Sequence, residues 1–291
     1  RMDGTENELN DVGVNGNYFF FNPKGGLMLA LSDNHQLYAS FALTHREPVR
    51  DDFTDNPRGT PAQESLRNIE VGYKGSGKHH VLNFNYYLMD YRDQLVLTGQ
   101  LNDVGACVRT NVDRSYRMGI EAQAGFKVAK KLDWNINATV SQNKIREFRE
   151  VLYDYGNNFD EYHVNENTYY NTDISFSPWL IAGSSLGYRP WPNIEITWLG
   201  KYVGIQFLDN TSNRARSIDP YLTNDLRVAY SWKPSFVEEI SLTLLANNLL
   251  NEEYESNGYT WGYFAGDTEY RENYYFPQAG RHYLAMIRVR F

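Results

Sequence analysis

Two long segments, 149–169 and 250–277, concentrate the side chains that are suited to binding a small molecule. Their net charges are −4 and −5, so together they carry more negative charge than the whole chain, whose net charge is −8. Aromatic rings in both segments offer flat apolar area, and tyrosine adds a hydroxyl group that suits chelates, macrocycles or sugars. The predicted ligand contacts are Tyr153, Tyr155, Tyr162, His163, Tyr259, Trp261, Tyr263 and Phe264. The alternative is that these rings only pack the segments against each other or against a membrane interface.

Metal binding and catalysis are weaker interpretations of the polar residues. His45 and His163 could ligate haem iron, although an isolated loop histidine is more often simply exposed. The carboxylates that could bind Ca²⁺ are Asp51, Asp52 and Asp55, or Glu252, Glu253 and Glu255, although a solvated acidic loop is the better interpretation. No Gly-x-Ser-x-Gly, His-Glu-x-x-His or P-loop motif occurs. We therefore predict no enzyme, no metal site and no cofactor.

Length and composition narrow the class of protein. The chain has 291 residues, of which 42% are hydrophobic, 15% aromatic and 22% charged. Its apolar runs are only a few residues long, whereas a membrane-spanning helix needs about 20. The negative charge disfavours a nucleic-acid partner, and a single cysteine, Cys107, excludes an internal disulfide and a Cys-rich zinc site. Because no signal peptide begins the chain, we expect a mature protein or a piece of a longer one.

The dominant pattern is an alternation of apolar and polar residues with a period of two. Between Leu132 and Asn143, for example, apolar side chains point one way and Asn, Thr and Ser point the other, as in a strand. The same pattern predicts about eleven strands, at roughly 17–32, 35–46, 65–74, 79–92, 114–128, 132–147, 170–189, 193–207, 219–232, 238–249 and 278–291. The nearest candidate for a helix, Lys144–Leu152, is short and follows directly from a strand.

Short and long connections alternate between the predicted strands. The long ones lie near 47–64, 93–113, 148–169, 208–218 and 250–277. Tight turns at one end and long loops at the other predict an all-β, antiparallel up-and-down barrel. Long strands, a polar face rich in Asn, Ser, Thr and Gln, and aromatic residues near the short turns favour a transmembrane barrel. An odd strand count indicates a miscounted barrel of ten or twelve strands, or part of a larger one.

Several motifs occur in a specific order along the chain. They are Leu37–Ala42, Ile69–Lys74, Tyr86–Leu97, Ser115–Glu121, Leu244–Tyr254 and Tyr275–Arg281, followed by the terminal Phe291. Together they resemble the motifs of TonB-dependent outer-membrane receptors, in forms familiar from Bacteroidetes. Leu250 stands where that family usually has phenylalanine. The resemblance covers essentially the whole chain.

The resemblance implies a 22-stranded barrel of which residues 1–291 are the C-terminal eleven strands, without the N-terminal plug domain and TonB box. It implies active uptake of a scarce nutrient, most often an iron–siderophore complex, across the outer membrane of a Gram-negative bacterium. The TonB–ExbB–ExbD complex would supply the energy through the missing N-terminal part. Other expected partners are outer-membrane lipid, lipopolysaccharide and the barrel assembly machinery.

Two further groups of residues have expected roles in such a receptor. Charges on the polar face of the strands would face the plug domain, because charges inside a barrel are usually paired. These are Glu70, Arg117, Glu121, Asp225, Arg227 and Arg288. The terminal Phe291 would be an assembly signal. Two other functions stay open at this stage: a complete small barrel acting as a passive channel or enzyme, and a soluble carbohydrate-binding sheet protein. Receptors for haem, cobalamin, glycans or peptides are further alternatives within the family.

Overall fold

A computed structural model describes residues 5–6, 10–11, 17–55, 60–101, 106–159 and 163–291. Its elements are β1 (Thr5–Glu6), β2 (Asn10–Asp11), β3 (Lys24–Ser32), β4 (His35–Arg46), α1 (Arg50–Thr54), β5 (Glu64–Ser76), β6 (His80–Leu101), β7 (Cys107–Ala129), β8 (Leu132–Asp154), β9 (His163–Asp173), β10 (Leu180–Trp191), β11 (Ile194–Val203), β12 (Gln206–Phe207), β13 (Ser217–Ile218), β14 (Tyr221–Trp232), β15 (Glu239–Asn247), β16 (Glu255–Ala265), β17 (Thr268–Pro277) and β18 (His282–Arg290). In this part of the chain no helix is long and apolar enough to cross a membrane.

Eleven strands form one continuous antiparallel sheet. Their order is β3-β4-β5-β6-β7-β8-β10-β11-β14-β15-β18. Consecutive members of this order follow one another along the chain, with only β9, β12, β13, β16 and β17 of the intervening connections left out of it, so the sheet is an up-and-down meander. The predicted all-β antiparallel fold and the predicted count of about eleven strands are therefore confirmed.

The two faces of this sheet differ in polarity. One face exposes large apolar side chains, such as Ile120 at 55% and Val140 at 51% of their full exposure. The opposite face is concave and polar, and a cavity of about 1010 Å³ spans β6 to β14 along it. An apolar outer face and a polar interior are typical of a barrel that is surrounded by lipid.

Strand pairing continues into several of the predicted loops. β6 and β7 extend as a hairpin to Leu101 and Cys107, while β8 pairs with β9, and β16 pairs with β17. Within 47–64, the five-residue helix α1 begins after Val49, whose backbone N–H donates to Asp52 Oδ2 at 2.8 Å. These loops are therefore mostly hairpins that project beyond the sheet.

Two sequence-based boundaries are wrong. The strand predicted at 132–147 continues to Asp154 as β8, because its backbone pairs with β9 from Lys144↔Asp173 onwards. The predicted strand 170–189 is two strands, since β9 ends at Asp173 and β10 begins at Leu180. Between them the non-glycine Phe176 adopts a positive φ of 51°, which breaks the extended backbone.

The projecting hairpins have a hydrophobic core of their own. It consists of Val96, Val112, Ile145, Phe148 and Ile174, with Tyr169 packed against it. Ile145 and Phe148 have no exposed surface. Because hairpins beyond a lipid-facing sheet are surrounded by water, burial of these side chains is what holds β6 to β9 together there.

The two end strands of the sheet, β3 and β18, each pair with a single neighbour among the described strands. Every residue of both strands is exposed. Their free edges present unpaired N–H and C=O groups, which cost several kcal/mol each in lipid.

We expect residues 1–291, expressed alone and refolded into detergent micelles, to yield no monodisperse monomeric barrel. Both open edges carry unpaired backbone N–H and C=O groups that need a hydrogen-bonding strand. Size-exclusion chromatography with light scattering, combined with gel mobility before and after heating, measures this. A monodisperse, heat-modifiable monomer would contradict the half-barrel interpretation.

Candidate ligand-binding surface at the long-loop end

Six rings from two sequence-distant loops meet in one group, the aromatic cluster. Its members are Tyr153, Tyr155, Phe159, Trp261, Tyr263 and Tyr270. Tyr263 is central: its ring centroid lies 4.9 Å from Trp261, 5.3 Å from Tyr270 and 5.8 Å from Tyr155. The Tyr263–Tyr270 contact is stacked and the Tyr155–Tyr263 contact is edge-on, the arrangements that aromatic pairs prefer. Segments 149–169 and 250–277 therefore pack against each other, as the alternative interpretation of these rings expects, and their contact with a ligand stays a prediction.

Backbone contacts fix the two loops to each other beside the aromatic cluster. Asp154 of β8 and Phe264 of β16 form a parallel pair, and the Tyr155 N–H donates to the Phe264 carbonyl oxygen at 3.0 Å. The β16–β17 turn contains Gly266 at φ 61°, beside the Asn157 side chain. A Cβ atom there would collide with Asn157, so glycine lets the hairpin tip approach the other loop.

The other predicted ligand contacts lie near this cluster or outside the described residues. Tyr259 stacks on Tyr274 with centroids 4.8 Å apart, further along the same hairpin. His163 is the exposed first residue of β9, opposite Asp154 in the ladder. Tyr162 lies outside the described residues. The structure thus places Tyr153, Tyr155, Trp261 and Tyr263 together.

Five charged residues form an ionic network, buried at its centre, that joins the same two loops to the connection between β12 and β13. They are Glu150 of β8, Asp209 and Arg216 of the connection between β12 and β13, and Glu269 and Arg271 of β17. Arg216 Nη1 lies 2.6 Å from Glu150 and 2.9 Å from Asp209, while Arg271 Nη2 lies 2.8 Å from Glu150. The side chains of Arg216, Glu150 and Asp209 are only 8%, 4% and 2% exposed. The network joins three loops at one point.

Two ionisable groups of the network, the Tyr169 hydroxyl and the Arg216 guanidinium, keep one protonation state at physiological pH. Burial, together with the charge of Glu150, raises the pKa of Tyr169 to about 12, so its hydroxyl stays neutral and donates to Glu150 Oε2 at 2.9 Å. Burial alone would lower the pKa of Arg216, but hydrogen bonds and the charges of Asp209 and Glu150 outweigh it and raise that pKa. Arg216 is therefore charged at any physiological pH.

The connection between β12 and β13 is itself anchored to the core hairpins through Asn210. This side chain is completely buried. Its Nδ2 donates to the Leu97 carbonyl oxygen at 2.6 Å, and its Oδ1 accepts from the Ser175 N–H at 2.9 Å. Sequence reasoning missed Asp209, Asn210 and Arg216, since a polar run in a loop has no periodic pattern.

The segment after β15 has a clear structural role. Asn248 adopts φ 48°; its Nδ2 donates to the Glu252 carbonyl oxygen at 2.9 Å, and its Oδ1 accepts from the Glu252 N–H at 2.8 Å. Asn251 Oδ1 accepts from the Arg281 N–H at 2.9 Å, and Tyr254 packs on Tyr221 with centroids 4.4 Å apart. Hydrogen bonds of the segment Leu244–Tyr254 therefore connect the end of β15 to the residues just before β18.

The predicted lumen charges share the polar face, because the strand register places them on the same side of the sheet. These are Glu70, Arg117, Glu121, Asp225, Arg227 and Arg288. Arg227 Nη2 lies 2.8 Å from Glu195, and Asp225 Oδ1 accepts from the Asn248 N–H at 2.8 Å. Within the described part of the chain, no oppositely charged group pairs with the remaining four.

The weaker metal interpretations have no geometric support among the described residues, where no group of three His, Cys, Asp or Glu side chains is placed to hold a metal ion. His45 Nδ1 lies 2.9 Å from Asn22 Oδ1, and its ring stacks on Phe20 at 5.6 Å. The Asp52 carboxylate accepts from the Val49 N–H at the start of α1, and its Oδ1 lies 3.4 Å from Arg109 Nη1. These contacts are structural.

The meander, with its apolar outer face, matches a known family of proteins. The family model "TonB dependent receptor-like, beta-barrel" matches residues 1–249. This chain belongs to the TonB-dependent receptor family. The family consists of outer-membrane proteins of Gram-negative bacteria. A comparison with curated protein sequences finds no match.

Solved TonB-dependent receptors share the fold at low sequence identity. The siderophore receptor PiuA from Acinetobacter baumannii is 17% identical with a TM-score of 0.66, over 91% of this chain and 35% of PiuA. The ferric-catecholate import receptor Fiu from Escherichia coli K12 is 15% identical with a TM-score of 0.61, over 91% and 34%. The copper transporter OprC is 17% identical with a TM-score of 0.64, over 91% and 39%. The chain thus spans between 34% and 39% of the length of these receptors.

Proposed function

We propose that this chain forms the C-terminal barrel portion of a TonB-dependent receptor that actively takes up a scarce nutrient, most simply an iron–siderophore complex. The observation that carries the proposal is the aromatic cluster, held at the long-loop end by the ionic network. In an outer-membrane barrel the long loops are extracellular, so the cluster would meet the nutrient first. The plug domain and the TonB box would belong to the rest of the protein. Assignment to Bacteroidetes stays a prediction.

The chemistry of the loops favours an aromatic or apolar chelate over a bare anion. Rings such as Trp261 and Tyr263 stack on flat ligands, while the negative charge of both loops repels free anions. PiuA and Fiu are described as siderophore and ferric-catecholate receptors, which supports an iron complex. OprC is described as a copper transporter, so the same fold carries other cargo. Haem, cobalamin, glycan and peptide remain the alternatives.

Energy dependence tests the proposal directly. Cells that carry the whole receptor should accumulate a radiolabelled ferric siderophore from nanomolar solution, and deletion of the TonB protein should reduce accumulation to background. A passive channel would transport at the same rate with and without TonB, and would follow the concentration gradient. That result would favour the alternative of a channel.

The polar-face charges support a plug-facing role for five of the six candidates. Glu70, Arg117, Glu121, Asp225 and Arg288 lack an oppositely charged partner among the described residues, and a charge inside a barrel is stable only with a partner or water. A plug domain would supply such partners. Arg227 already pairs with Glu195, so its plug-facing role has less support.

Deletion of Phe291 should lower the amount of receptor in the outer membrane several-fold, because it ends the last strand and would be read by the barrel assembly machinery. Phe291 is 94% exposed, so its loss removes little packing. Quantitative blotting of outer-membrane fractions measures the effect. Phe236→Ala is the matched control, since this ring is 72% exposed beside a short turn. Unchanged receptor levels with weaker nutrient binding would reject the assignment.

A further inference from the structure

The beginning of β16 contains an asparagine that is followed directly by a glycine, Asn257 and Gly258. The Asn257 side chain is exposed to solvent, whereas Gly258 is buried. Asparagine is among the thermolabile residues of proteins. A following glycine leaves the most room around the next peptide nitrogen, because glycine has no Cβ atom. This pair is therefore the place in the β16–β17 hairpin where the side-chain amide is most open to attack by the backbone.

The peptide nitrogen of Gly258 takes no part in the β16–β17 ladder. The Phe264 carbonyl oxygen accepts from the Tyr155 N–H, so the backbone groups of Phe264 point away from β17. Backbone groups alternate in direction along an antiparallel strand, and the register is regular from Phe264 back to Gly258. Because the two positions are separated by an even number of residues, Gly258 also directs its N–H away from β17.

This N–H donates instead to the side chain of the preceding residue. The Gly258 nitrogen lies 2.8 Å from Asn257 Oδ1, so it is no more than about 4 Å from the Cγ atom that carries this oxygen. When the nitrogen loses its proton, the electron pair that remains points along the former N–H direction, toward the side-chain amide. The nucleophilic nitrogen and the electrophilic carbon therefore already face each other.

The surroundings of this pair require the glycine and permit movement of the asparagine. A Cβ atom at position 258 would lie 2.5 Å from the Tyr274 carbonyl oxygen and 3.1 Å from Leu208 Cδ2, so a larger residue cannot stand there without displacing the backbone of β17. The ladder shifts register between Glu255 and Asn257. At such a bulge the pairing is locally disrupted, which leaves the backbone beside Asn257 freer to adjust than in a regular strand.

We propose that Asn257 is a site of spontaneous deamidation. The Gly258 nitrogen attacks Asn257 Cγ and forms a cyclic succinimide, while the bond from Cγ to the side-chain nitrogen breaks. The side-chain nitrogen leaves as ammonia and takes with it the proton that the Gly258 nitrogen has lost. Water then opens the ring at either carbonyl carbon, which gives aspartate or isoaspartate. The reaction consumes one water molecule and needs no oxidant, reductant or cofactor.

The product changes the hairpin on the face that carries its aromatic rings. Asn257 shares the strand parity of Tyr259 and Trp261, and it pairs with Phe276. Aspartate adds one negative charge at this position, and isoaspartate also lengthens the backbone of β16 by one carbon atom. The inference goes beyond the proposed function and does not depend on it, because the chemistry requires only the folded hairpin and water.

Peptide mass spectrometry of the whole receptor, incubated in detergent over a series of pH values, tests this assignment. Asn213 is the matched control within the same sample, because it is also exposed but is followed by Arg214, and its Oδ1 accepts from the Ala215 N–H at 2.9 Å. We expect Asn257 to deamidate at least tenfold faster than Asn213 and to give both aspartate and isoaspartate. The rate should rise with hydroxide concentration, since the Gly258 nitrogen must lose its proton before it attacks.

Three results would overturn the proposal. The first is an equal rate at Asn257 and Asn213. The second is aspartate as the sole product at Asn257, which would indicate direct hydrolysis without attack by the Gly258 nitrogen. The third is a rate in the folded receptor more than tenfold below that of a synthetic peptide with the sequence of residues 253–262, because the fold would then hold the two groups apart. None of these readouts depends on uptake, so a receptor that fails to transport leaves the deamidation result unchanged.

Discussion

Replacing residues 255–273 with a short Gly/Ser turn should reduce nutrient uptake by at least tenfold while leaving the receptor folded in the membrane. The eleven-strand sheet does not include β16 or β17, so no lipid-facing strand is changed. The replacement removes Trp261, Tyr263 and Tyr270 from the aromatic cluster. Uptake of labelled nutrient at low concentrations, together with receptor levels in outer-membrane fractions, measures both effects.

A smaller change separates ligand contact from loss of the hairpin. Trp261→Ala combined with Tyr263→Ala keeps the β16–β17 backbone and removes the central stacking partners. Tyr230→Ala is the matched control, because this tyrosine is 40% exposed on the lipid-facing side. If the trimmed receptor transports at the wild-type rate at all low concentrations, the aromatic cluster only packs the loops, and binding belongs to other parts of the receptor.

Arg216→Met should release the β16–β17 hairpin from β8 without unfolding the barrel. The substitution leaves the buried Asp209 carboxylate without its arginine partner. It also removes one of the two arginines that contact Glu150. Removing one partner of a buried ion pair costs about 3–5 kcal/mol, which would raise local opening about a hundredfold or more. Hydrogen exchange of β16 and β17 amides, or proteolysis of the loop end in folded receptor, reports this opening.

The exposed pair of Arg149 and Glu147 provides the control. Their side chains are 66% and 42% exposed at 3.1 Å separation, so Arg149→Met should change local stability by less than about 1 kcal/mol. Adding Asp209→Asn to Arg216→Met should restore part of the protection, since it removes the stranded charge. Equal exchange rates in Arg216→Met and wild type would show that the ionic network does not hold the loops.

The hairpin of β16 and β17 shows a signal that sequence reasoning could have used. Its strands are joined by Gly266 and Asp267, a two-residue combination that predicts a tight hairpin turn. Residues 250–277 were nevertheless predicted as one long loop, although Tyr259, Trp261 and Tyr263 alternate with Thr260 and Gly262 along β16. Lys144–Leu152, the nearest candidate for a helix in the sequence, is part of β8, where Ile145 and Phe148 are buried between hairpins.

Alternation along the chain was sufficient to predict most strands of the eleven-strand sheet, their two faces and the polar-face charges such as Glu121 and Arg227. A strand has a period of two, so each residue's face follows from its neighbours, and short turns impose pairing between consecutive strands. The family resemblance likewise depended on local motifs. Only the tertiary structure could bring Glu150 to Arg271, which lie 121 positions apart, and to Arg216. Their contact depends on how two hairpins and the connection between β12 and β13 fold over one another, and no repeating pattern in a sequence encodes such a meeting.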